Sequence, residues 1–227
     1  MLVRVQPSAP HSDYHQNIRE SSSIGGASPC QGEGRGFESR LSLKMLFTLS
    51  IISFLGYFWT NKRPSKYNFK ISLDDKIKAL PLSIIPYALQ IPFIIFTYFQ
   101  IQTTQITNSF YLSVIIANVS ATIFWYFVPN GVKRQPLTEK SFFSKIINFV
   151  YRHDNDTNGF PSAHVYISLL CAYYLSISFT SLNIIWVTIG ILISASTIFT
   201  KQHYLIDILG GVIFTILSLA LTPIFLI

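Results

Sequence analysis

From Met45 to the C-terminus, long apolar runs alternate with short polar ones, and six runs approach the roughly 20 apolar residues that a helix needs to cross a bilayer. They cover approximately residues 43–59, 82–101, 109–128, 163–180, 182–200 and 204–227, and the first is short enough to read as a marginal span. Trp59, Trp125, Tyr126 and Trp186 lie near run ends, where aromatic rings suit interfacial anchors. Pro81, Pro86 and Pro92 predict a kink or a broken start in the second run, because proline removes a backbone donor and crowds the preceding turn. The pattern predicts an all-α fold: a polytopic membrane bundle of about six transmembrane helices over residues 45–227.

Composition points the same way. Half of the 227 residues are hydrophobic and 12% are charged, outside the usual range for a soluble domain with a polar surface. Residues 1–44 differ in kind: they are rich in Ser, Gly, Pro and charge, carry no hydrophobic period and contain no secretory apolar core, so they read as disordered. Within them, Gly36-Phe37-Glu38-Ser39 resembles a chance translation of the T-arm of a transfer RNA gene. On that reading Met45 is the natural start and residues 1–44 are a spurious extension; the alternative is a translated, unstructured tail. Two cysteines, Cys30 and Cys171, form neither a disulfide framework nor a metal-ligand spacing.

The formal charge is +7, but its cations fall in short clusters between apolar runs and form no long basic face. That distribution argues against a nucleic-acid partner and for phosphate or anionic lipid. Six spans place the loops after spans one, three and five on one side. These loops hold six (Lys62, Arg63, Lys66, Lys70, Lys76, Lys78), five (Lys133, Arg134, Lys140, Lys145, Arg152) and one (Lys201) of the cations, and from Met45 onward the opposite side has none. Within the second loop, residues 138–152 predict an interfacial helix. Thr138 is its cap, and Phe142, Phe143, Ile146, Ile147 and Val150 recur at helical spacing. It reads as a surface-lying connector, with a substrate lid as the alternative.

Charged and titratable residues are costly in a membrane, so those at span ends are functional candidates. Among His, Lys, Arg, Asp and Glu, only His164, Lys201, His203 and Asp207 occur after Asp156, and all four fall where spans four and six emerge on the same side. His203 and Asp207 are four apart, which predicts one helical face and a separation of about 6 Å along the axis. A carboxylate there can hold one ring nitrogen as a donor, leaving the other with the lone pair a histidine nucleophile requires. In Pro161-Ser162-Ala163-His164, Ser162 is a natural cap for the following helix, whose free N–H groups and dipole favour a bound phosphate. His164 in the first turn would stand beside that phosphate as a proton donor. Lys133 and Arg134 add positive charge at the end of span three, with arginine suited to forked contact. Each feature alone also has a structural reading: a His–Asp tether between helices, a packed histidine at a helix start, or cations that meet only lipid headgroups.

Together these residues resemble the type 2 phosphatidic acid phosphatase (PAP2) superfamily. Pro161-Ser162-Ala163-His164 is similar to its second signature, and His203 with Asp207 and Gly210-Gly211 to its third. The stretch Ser196–His203 is similar to the subgroup that includes inositol phosphorylceramide synthases, and the resemblance spans roughly residues 70–215. It implies that His203 attacks phosphorus, Asp207 orients it and His164 protonates the leaving oxygen, later activating water or another acceptor. Ser162 and Arg134 would hold the phosphate. No metal or other cofactor is implied, and no obligate protein partner; the partners are a lipid phosphate and the membrane.

The sequence departs from the superfamily pattern in two places. Phe127 stands where the first signature has lysine, with Gln135 between Arg134 and Pro136, and Ser196-Thr197 stands where the third usually begins Ser-Arg. Lys133 and Lys201 are the candidate substitutes for these phosphate-binding cations. Three functions stay open: a lipid phosphatase, a phosphotransferase with a lipid or sugar hydroxyl as acceptor, and a noncatalytic transporter or scaffold. The lysine-rich loops place the site in the cytoplasm by the positive-inside rule, whereas the resemblance implies the opposite face. The expectation carried forward is a multi-pass protein of the cell (inner) membrane with an extracytoplasmic site.

Overall fold

Where lipid replaces water, a backbone satisfies its polar groups internally, and the apolar runs accordingly become helices. The computed structural model describes residues 33–225 apart from Thr103, Gln105, Glu139 and Lys140, with side chains from Leu43 onward. Most of the segment expected to be a tail or extension therefore lies outside the described residues. The first helix begins within that segment, at Glu33.

The first run forms α1 (Glu33–Ser53) and α2 (Leu55–Thr60), and the loop after it carries α3 (Ser72–Lys76). As its prolines predict, the second run is broken: a 3-10 turn at Pro81–Ser83 leads into α4 (Ile84–Ala88), then α5 (Gln90–Ile101). There follow α6 (Thr107–Phe127), α7 (Phe142–His153), α8 (Ala163–Ser178), α9 (Asn183–Phe199) and α10 (Leu205–Leu221). Among the described residues, five stretches are long and apolar enough to cross a membrane: Leu43–Thr60, Pro81–Ile101, Thr107–Phe127, Thr180–Phe199 and Leu205–Ile224. The sixth apolar helix, α8, has 16 residues. At 1.5 Å per residue it is about 24 Å long, short of a hydrocarbon core of about 30 Å. The short span is thus the fourth rather than the first.

That short helix is the axis of the bundle. It packs against α5, α6, α9 and α10, and Tyr166, Leu170, Cys171 and Leu175 on it are fully enclosed. Without a hydrophobic driving force between helices in lipid, close approach depends on small residues and interhelical hydrogen bonds. Both occur here. A side chain at Gly190 of α9 would place its Cβ 2.7 Å from Ala172 of α8. The Tyr166 hydroxyl donates to Asn118 (3.0 Å), whose amide donates to Ser53 (2.8 Å), linking α8, α6 and α1. Large apolar side chains such as Phe99, Phe127 and Ile184 point outward. Trp125, expected at the interface, is instead 1% exposed and packs edge-on against Tyr57.

The loops after spans one, three and five meet at one end of the bundle. Lys66 and Tyr67 donate backbone bonds to Pro129, Val132 to Asp156, and the Asn155 side chain to the Asn61 carbonyl. The amphipathic segment expected over 138–152 forms α7, capped by Ser141, whose Oγ accepts from Ser144 N–H at 3.1 Å, rather than by Thr138. Its apolar face, with Ile147 fully buried, packs on Ile84 and Tyr87 of α4.

Candidate active site at the loop end of the bundle

The Pro161-Ser162 segment enters α8 with Ser162 extended at the N-cap. Asn130 holds the approach to it. Its amide donates to the Phe160 carbonyl at 2.9 Å, and its oxygen accepts from the Phe160 N–H, so one buried side chain satisfies both backbone groups of that residue. The Ser162 N–H then donates to the Asp207 carbonyl at 3.1 Å, tying the start of α8 to the first turn of α10. Two glycines make this approach sterically possible. A Cβ at Gly210 would lie 2.4 Å from the Phe160 ring, and one at Gly211 2.5 Å from Val165 Cβ and 3.0 Å from the Ser162 carbonyl.

The result brings His164 and His203 together, with ring centroids 5.7 Å apart at 61°. His164 stacks on Tyr87 at 4.5 Å, and its carbonyl faces the Gln90 side chain at 3.5 Å. His203 lies in the turn before α10, not on a helical face with Asp207. The chain leaves α9, passes Lys201 at φ 55 and extends through Tyr204 before the helix starts. The pair still meets: His203 Nδ1 and Asp207 Oδ2 are 3.5 Å apart, the outer edge of a hydrogen bond. The firm bond of that carboxylate is to the Tyr204 N–H at 2.9 Å, which caps α10.

Among the described residues, Ser162 Oγ and Arg134 Nε are buried without a hydrogen-bond partner, and His203 Nδ1 has only its 3.5 Å approach to Asp207. Ser162 therefore occupies the cap position without making the side-chain bond a cap makes. Leaving a buried donor unmatched costs about 1–3 kcal/mol, which an anion accepting from these groups would offset. The Arg134 side chain is only 7% exposed. Its Nη2 donates to the Asp154 carboxylate and the Asn155 carbonyl, and its guanidinium faces the Tyr151 ring. Beside it opens a polar cavity of about 380 Å³ lined by Arg152, Asp154 and Asp156 among others.

The two lysines differ from the expected phosphate ligands. Lys201 donates its ammonium to the carbonyls of Asp74 and Ile77, so its charge is engaged away from the histidine pair. Burial holds that amine below the usual lysine range, with Asp74 and Asp75 opposing the effect. Lys133 is exposed, donates its backbone N–H to the Tyr204 hydroxyl, and with Lys201 and His203 borders a cleft of about 30 Å³.

Four further residues shape the site without having stood out in the sequence: Tyr87, Asn130, Asp154 and Asp74. The Pro129-Asn130-Gly131 turn was the only signal for any of them, and it marks a turn without naming the clamp.

The sequence profile of the PAP2 superfamily matches residues 37–226. The chain belongs to the PAP2 superfamily. Among curated proteins and solved structures, none matches it. PAP2 is a helical membrane fold whose members are generally phosphatases or phosphotransferases, and the chain is accordingly a helical membrane protein.

Proposed function

We propose that the chain hydrolyses a lipid phosphate monoester or diphosphate at the membrane through a phosphohistidine on His203, without divalent metal. His203 Nε2 attacks phosphorus while the bond to the lipid oxygen breaks, and His164 gives that oxygen a proton. His164 then takes a proton from water, which attacks the phosphohistidine and releases inorganic phosphate. Asp207 holds the His203 Nδ1–H, and Ser162 and Arg134 offset charge on the equatorial oxygens. The observation that carries this reading is the His164–His203 pair with ring centroids 5.7 Å apart, with Ser162 Oγ, two residues before His164, buried without a partner among the described residues.

The test is phosphate release by purified protein, with chelator present, from phosphatidic acid, phosphatidylglycerol phosphate and undecaprenyl diphosphate. Release from at least one is expected, with loss in His203→Ala; undiminished release by that variant would refute the assignment. A phosphotransferase is the second reading, favoured by the similarity of Ser196–His203 to the inositol phosphorylceramide synthase subgroup. Acceptor-dependent product with little free phosphate would select it. A transporter or scaffold would instead trap no acid-labile phosphoenzyme and tolerate both His164→Ala and His203→Ala.

A further inference from the structure

His203 sits in a three-residue bridge, Gln202-His203-Tyr204, and both ends of that bridge are attached to one residue of a distant loop. At the near end the Lys201 ammonium donates to the Asp74 carbonyl at 3.1 Å and to that of Ile77. At the far end the Leu205 N–H, first in α10, donates to Asp74 Oδ1 at 3.0 Å. The second carboxylate oxygen accepts from the Ile71 N–H at 2.8 Å, closing the turn that carries Asp74, and the residue is 6% exposed. Nearby bonds dock the same loop: Asn68 donates to the Tyr204 hydroxyl and the Leu80 N–H to the Phe199 carbonyl.

We propose that Asp74 is a positioning residue that fixes the His203 bridge from the loop after the first span. This rests on His203 being the nucleophile. Asp207 alone holds Nδ1 only at 3.5 Å, which leaves ring placement to the backbone of the bridge. A backbone free to shift by about 1 Å costs on the order of 100-fold in an oriented reaction. The Gln202 and His203 N–H groups donate to the Thr197 carbonyl, and Asp74 adds a constraint at the far end with a buried carboxylate against a helix N-terminus, a charge-assisted bond favoured by the dipole.

The experiment uses the full-length protein in detergent or nanodiscs. Asp74→Ala is expected to lower kcat at least tenfold (about 1.4 kcal/mol) with little change in KM, since the contact acts on the transition state. Asp74→Asn, which keeps an oxygen for the Leu205 N–H but turns its amide NH2 toward the Ile71 N–H and loses the charge, should recover part of the loss. Leu205→Pro removes that N–H at the one helical position where proline is well tolerated, and Tyr204 already has the extended backbone that proline requires before it. Relative to a Leu205→Ala control, it should lower kcat in the wild-type background and have little further effect with Asp74→Ala. Additive losses, or an Asn variant as impaired as Ala, would overturn the proposal. Hydrogen exchange separates this failure from failure of the phosphatase reading. Residues 200–206 should exchange faster in Asp74→Ala whether or not any lipid is turned over, and unchanged exchange there would overturn the anchoring by itself.

Discussion

Ser162 Oγ has no hydrogen-bond partner among the described residues, so Ser162→Ala removes no bond seen to hold the fold. Its thermal midpoint should stay within about 2 °C of wild type, while phosphate release falls about tenfold, as when one transition-state donor worth about 1.4 kcal/mol is lost. A variant that melts lower and reacts normally would make Ser162 structural. Asp207→Asn keeps an oxygen for the Tyr204 cap but presents a neutral group to His203, so release should drop about 100-fold or more with the helix intact. His164, His203, Asp207 and Ser162 were legible because polar residues at the ends of apolar runs are few and their spacing is informative. Asp74 and Asn130 were not. Asp74 lies 131 positions from Leu205 and Asn130 lies 30 from Phe160, and no local pattern encodes such a bond. The bonds of Lys201 were hidden for the same reason: its carbonyl partners, Asp74 and Ile77, belong to a loop that composition describes only as basic.

Helices α8 and α10 meet over Gly211, where the ideal Cβ would lie 2.5 Å from Val165 Cβ. Glycine to alanine inside a helix normally stabilises by about 1 kcal/mol. Gly211→Ala should do the reverse, lowering the thermal midpoint and the activity together, because the added carbon must part the two helices that carry His164 and Asp207. A midpoint that rises would mean the helices can yield without cost. At this scale hydropathy located the spans well, since apolar length is a property of one segment. Cap preference and residue spacing did less well at the helix ends: Ser141 rather than Thr138 caps α7, accepting from the Ser144 N–H, and His203 lies before α10 rather than on a helical face with Asp207. Helix ends depend on which competing polar group reaches the backbone first, and that is a tertiary outcome.

For the whole molecule, the open question of orientation has a direct readout. With the site on the extracytoplasmic face and six spans crossing, the C-terminus lies in the cytoplasm. A fluorescent protein fused after Ile227 should then fluoresce, and a periplasm-dependent reporter there should stay inactive. The reverse result would side with the lysine-rich loops. One dimension of α8 bears on how such a site is reached. His164, in its first turn, stacks on Tyr87, six residues into the span that starts at Pro81, or about 9 Å along a helix axis. If the bilayer boundary falls at Pro81, the histidines stand about 9 Å inside it rather than at its rim. A phosphate must sink below its neighbours to react, so vertical reach, as much as headgroup identity, would decide which lipids are turned over. Reconstitution in a thicker bilayer, which would set the histidines deeper below the headgroups, should then slow turnover with no change to the protein itself.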